Sequence, residues 1–188
     1  MDKGGISNSV IEDTEAWLQQ VVIGLNLCPF ASKPFRAEQV RFVCSEATTE
    51  QSLLEDLQRE LRILGDAKAE DIETSLLVAP NVLQDFLDYN QFLDWADQLL
   101  RRERWEGIIQ IASFHPDYCF AGAAPDDAEN LTNRSPYPTL HLIREDSLEA
   151  VLERYPDSDR IPDSNIEKMN QLSAKDKARL FPYLFTER

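Results

Sequence analysis

Two histidines and three cysteines are all that the 188 residues offer for acid–base or thiol chemistry near neutral pH. His115 stands in 107-GIIQIASFHPDYCFAG-122, directly after an apolar run and before Pro116 and Asp117. Free imidazole titrates near pH ~6.5, so a histidine there can serve as general acid or base, or can simply hydrogen-bond the turn. His141 lies in 139-TLHLI-143, where period-two alternation sets Leu140 and Leu142 on one face and Thr139, His141 and Ile143 on the other. It is either a satisfied core histidine or, if its strand pairs with the one ending at Phe114, a neighbour of the loop that opens at His115.

Cys28 follows a helical pattern in 24-GLNLCPFAS-32. A cysteine is nucleophilic as thiolate, which needs a cation or a helix N-terminus beside it, and a helix C-terminus has the opposite polarity. Cys28 therefore takes a partner from elsewhere in the fold, with His115 and Arg134 as candidates, or it is a small buried hydrophobe. In 130-NLTNRSPYPTLHLIRE-145, Asn133, Arg134 and Ser135 precede a rigid Pro-Tyr-Pro turn, the composition of an anion-binding loop. Arg134 would grip a carboxylate or phosphate bidentately, with Asn133 beside it, or else tie the loop to nearby acids; Arg144 carries the same ambiguity. Cys28, Cys119, His115 and His141 would make a Cys2His2 zinc set, yet no two of them have C-x-x-C or H-x-x-x-H spacing. The chain has no P-loop, GxGxxG, GxSxG or EF-hand loop, so the cofactor stays unassigned.

These residues need elements to position them. A capping box at Ser9 and Glu12 predicts a first helix carrying Val10, Trp17, Leu18, Val21, Val22 and Leu25, ending near Cys28 because Pro29 disfavours helical dihedrals before it. Residues 1–8 are expected to be disordered. A strand over 38–46 leads to a helix opened by Thr48 and Gln51, with Leu53, Leu54, Leu57, Leu61 and Leu64 on its apolar stripe and Gly65 as its stop. A strand over 73–80 follows, then a long helix capped by Asn81, then a strand over 108–114. The stretch 115–138 has no periodicity and is long for a connector, which marks it as a functional-loop candidate. The fourth strand, a helix capped by Asp146 with Glu149, and two short helices around Met169 and Leu180 complete the chain. The reading is one α/β domain over 1–188: helix 1, then β-α-β-α-β with a mainly parallel or mixed four-stranded sheet, then C-terminal helices. Sites in such sheets lie outside the carboxyl ends of the strands, which is where His115 falls.

The 34 acidic and 19 basic residues give a formal charge of −15, which repels nucleic acid and anionic lipid. The start of the chain lacks a secretion signal and no segment has the apolar length of a membrane span, so a cytoplasmic protein with reduced thiols is expected. Nothing in the pattern determines the oligomeric state.

Together GLNLCPF, SFHPDYCFAG and NRSPYPTLHLIRE resemble a bacterial family of about this length catalogued as a domain of unknown function. The resemblance runs from Trp17 to about Phe185 and implies a small bacterial cytosolic protein, without an activity or catalytic residue. From the residues alone, the first functional reading is an enzyme acting on a small anionic metabolite, with His115 as acid or base, Arg134 holding the anion, and Cys28 or His141 assisting. A non-catalytic ligand-binding or regulatory module is the alternative, and a Cys/His metal protein the third.

Overall fold

The computed structural model describes residues 3–155 and 157–185. Strands β1 (Val40–Cys44), β2 (Thr74–Val78), β3 (Ile109–Phe114) and β4 (Thr139–Arg144) form one sheet in the order β1-β2-β4-β3. β1 and β2 are parallel, whereas β4 is antiparallel to both β2 and β3. The first three strands therefore run one way, as the βαβ alternation predicts, and β4 is inserted between β2 and β3 in the opposite sense. The long 115–138 segment explains this. It leaves the carboxyl end of β3 and returns on the same edge, so the next strand must run back.

The sheet is covered on both faces. α3 (Glu50–Asp66) and α4 (Phe86–Arg102) pack on one side, where Leu53, Leu57, Leu61 and Leu64 meet Leu77, Leu140 and Leu142. The other side carries α1 (Lys3–Trp17), a π-helical turn (Leu18–Ile23), α6 (Ile161–Gln171) and α7 (Ala174–Leu180), which bury Trp17, Val21, Met169 and Phe181 against Leu76. A short α2 (Ser32–Arg36) precedes β1, and α5 (Glu145–Leu152) follows β4. No helix among the described residues is long and apolar enough to cross a membrane.

Several helix starts differ from the sequence expectation. α1 begins at Lys3, inside the stretch expected to be disordered and ahead of Ser9, because extending a helix already docked by its apolar stripe adds one hydrogen bond per residue without a new nucleus. Its last turn widens: Gly24 N–H donates to Gln19 O and Leu27 N–H to Val22 O, both five residues back. A Cβ at Gly24 would lie 2.3 Å from Gln20 O, which is why glycine opens the GLNLCPF segment. α3 is capped by Thr49 and Ser52, one residue later than expected. Gly65 does not stop it but lies under Trp105, whose ring occupies the place of a Cβ. α4 is capped by Asp85, which accepts from Leu87 and Asp88 N–H, and Asn81 falls in the preceding turn. α5 opens at Glu145 with no side-chain cap, so Asp146 lies inside it.

One side chain holds the loop-bearing edge together. Tyr89 of α4, 1% exposed, donates its hydroxyl proton to Thr139 O (2.8 Å) and accepts from Phe114 N–H (3.1 Å). It ties the last residue of β3 to the first of β4, and burial raises its phenol above the ordinary value. Tyr89→Phe removes the buried hydroxyl and both of its hydrogen bonds, so the urea midpoint should fall by the equivalent of about 1–2 kcal/mol with the m-value unchanged. An unaltered midpoint would show that the bridge carries no stability.

Candidate functional site

The carboxyl ends of β1, β2 and β3 and the start of β4 share one edge, and the 115–138 loop covers it. Phe114 and His115 are consecutive, so their side chains leave on opposite faces. His115 is fully buried on the α4 side, with ring centroids 5.4 Å from Phe86 and 5.1 Å from Tyr89. Asp117 N–H donates to its Nδ1 at 3.0 Å, so the ring proton sits on Nε2 and is donated to Leu83 O at 3.0 Å. Leu83 presents that carbonyl from a left-handed turn, φ 58°, that precedes α4. Both nitrogens of His115 are thus committed to backbone groups.

His141 does lie in a strand paired with β3, opposite Ala112, yet its ring is on the other face with Phe114, 6.3 Å between centroids. Thr74 donates its hydroxyl to Leu142 O and accepts from His141 Nε2 at 2.8 Å. Burial pushes this imidazole from 6.5 down to about 4, so it is neutral at physiological pH. The two histidines are separated by the sheet.

The candidate anion-binding residues bind the protein itself. Arg134 donates from Nε to Tyr118 O (3.2 Å) and from Nη2 to Pro125 O (2.6 Å), stitching the loop across its base. Its own carbonyl accepts from Trp17 Nε1 and Tyr183 Oη, each at 3.0 Å. Asn133 donates to Ser113 O (3.0 Å), and its carbonyl accepts from His115 N–H (3.2 Å), which continues the β3 pairing into the loop. Arg144 is at the opposite end of β4, where it donates to Leu64, Ala67 and Ile72 carbonyls and closes the C-terminus of α3. Sequence reasoning passed over Asn130. Fully buried, it accepts from Phe120 N–H and donates to Ala124 O, thereby setting the shape of the loop; no periodic pattern marks such a residue.

On the face opposite His115 is a cavity of about 510 Å³. Its wall combines Val22, Leu27 and Cys28 with Phe114 and Phe120, with Glu129, Thr132 and Asn133, and with Ile161, Pro162, Asn165 and Ile166 of α6. Asn165 fastens α6 to the Cys28 segment by donating to Leu27 O at 2.8 Å. Cys28 is half-buried; burial raises its thiol above the ordinary value, and N–H groups of Phe30 and Ala31 oppose that only in part. The thiol is therefore neutral rather than activated. Cys119 donates to the Phe120 and Ala123 carbonyls instead of joining a ligand set, and among the described residues no three His, Cys, Asp or Glu side chains gather as a metal site.

A family model described as a protein of unknown function, DUF1415, matches residues 9–179. The chain belongs to this family. No curated protein and no solved structure matches it. Each of the three segments that mark the DUF1415 resemblance places a side chain in the cavity wall: Cys28 from the first, Phe114 and Phe120 from the second, Asn133 from the third.

The depressed His141 value fixes the sign of a pH effect. The unfolded imidazole binds its proton below about 6.5 and the folded one only below about 4, so this contribution is complete above pH 6.5 and is lost as pH falls toward 4. Relative to His141→Gln, the native chain should lose up to about 3 kcal/mol across that window in urea titrations. Parallel curves for the two proteins would contradict the assignment.

Proposed function

We propose that this DUF1415 protein binds a small molecule without transforming it, in the cavity between the π-helical turn, the 115–138 loop and α6. One observation carries the reading: three segments far apart in the chain contribute Cys28, Phe114, Phe120 and Asn133 to a single, mainly apolar cavity. A volume of about 510 Å³ suits a metabolite-sized ligand, and sites of this kind pair apolar walls with a few polar groups.

The groups that acid–base catalysis would use are engaged elsewhere. For His115 to act on an anionic metabolite, Nε2 would have to leave Leu83 O, and Arg134 would have to release Tyr118 and Pro125. A neutral Cys28 thiol lines a binding wall without chemistry of its own. A bacterial cytoplasmic setting belongs to the same reading, and is supported by Cys28, Cys44 and Cys119 all being free thiols.

Thermal unfolding with uncharged probes such as indole and cyclohexanol tests this, together with alkylation of Cys28 in a background where Cys44 and Cys119 are serine. A probe at about a hundred times its Kd should raise Tm by roughly 5–10 °C and slow alkylation of Cys28. Ile166→Trp, which fills the cavity, should abolish both effects. Equal stabilisation of Ile166→Trp would place the ligand elsewhere and sink the proposal.

A further inference from the structure

We infer that the ligand of this cavity is an organic cation, an apolar body bearing one ammonium-type group that pairs with Glu129. The inference rests on the binding reading above and adds the chemical class of the ligand.

Glu129 lies in the 3-10 turn Ala128–Thr132, half-buried in the cavity wall. Its neighbours there have their polar atoms occupied. Thr132 donates to Glu129 O (2.8 Å) and Asn133 Oδ1 (3.2 Å), Asn133 donates to Ser113 O, and Asn165 donates to Leu27 O while its Oδ1 accepts from Lys168 Nζ. Among the described residues the Glu129 carboxylate has neither a hydrogen bond nor an ion pair, and no lysine or arginine lines the cavity. The basic groups nearby are held away from it: Arg134 by the Tyr118 and Pro125 carbonyls, Lys168 by Asn26 O at 2.7 Å.

A bound ammonium beside this carboxylate gains a charge-assisted hydrogen bond, roughly twice as strong as one between neutral groups. Phe114 and Phe120 add aromatic rings to the same wall, and the net charge of −15 concentrates cations around the whole molecule. An anion, the class that Arg134 suggests from sequence, would meet an unpaired carboxylate and no available guanidinium.

Three probes with one apolar body separate charge from shape: 3-phenylpropylammonium, 3-phenylpropanol and 3-phenylpropanoate, titrated by calorimetry at neutral pH and low salt. The ammonium should bind about tenfold tighter than the alcohol, with the carboxylate weakest, and Glu129→Gln should bring ammonium and alcohol to within about twofold. Unchanged affinity of Glu129→Gln for the alcohol confirms that the variant is folded. If alcohol and ammonium bind the native protein equally, and Ile166→Trp excludes both, the cation assignment is overturned while the cavity reading stands. If none of the three binds, both fall.

Discussion

The Tyr89 hydroxyl is the constraint on which the candidate site depends. By accepting from Phe114 N–H and donating to Thr139 O, it fixes where β3 ends and β4 begins, and so both mouths of the 115–138 loop. With Phe114 held at that position, alternation sends its ring to the face that carries the cavity and turns His115 to the α4 side. His115 then extends the same arrangement, linking the loop to Leu83 through Nε2 and to Asp117 through Nδ1. Within this framework Asn130, Asn133 and Arg134 fold the loop against itself, each by hydrogen bonds to backbone groups. The polar residues build the edge, and the cavity lies between it, the π-helical turn and α6.

This division gives the protein an unusual distribution of chemistry. His115, Arg134 and Arg144 are bonded to carbonyls and amides, whereas the cavity is bordered by Val22, Leu27, Phe114, Phe120, Ile161 and Ile166. Buried polar groups are costly unless paired, so their pairing here stabilises one loop conformation. Glu129 is the one charged side chain of the cavity wall among the described residues, and so the group with which a ligand would pair.

Much of the fold was legible because its signals are local. Leu53, Leu57, Leu61 and Leu64 repeat at helical spacing and are buried as that spacing requires; TLHLI alternates, and the faces it assigns to Leu140 and His141 are those observed. The edge bearing the loop also follows from strand direction. Helix starts were less legible, since Thr48 and Thr49, or Asn81 and Asp85, differ only in which hydroxyl or carboxylate the tertiary packing brings to the free N–H groups. A mixed sheet and a pairing of β4 with β3 were open alternatives, but the insertion of β4 between β2 and β3 was not legible, because strand order depends on contacts between distant segments. The cavity was least legible. Ile161, Pro162 and Ile166 come from a helix remote in sequence from Cys28, and no periodicity announces that Asn165 will bond Leu27 O. His115 and Arg134 drew attention as residue types suited to catalysis, while their bonding partners, being backbone atoms, leave no trace in a sequence.

The central claim is that ligand recognition occurs on the apolar side of the sheet rather than around His115. Methyl and imidazole NMR spectra recorded during titration with 3-phenylpropylammonium test it most directly. The account predicts saturable shifts at the methyls of Val22, Ile161 and Ile166, with the His115 ring signals unmoved. Shifts concentrated at His115, Leu83 and the Arg134 guanidinium, with those methyls unchanged, would contradict it.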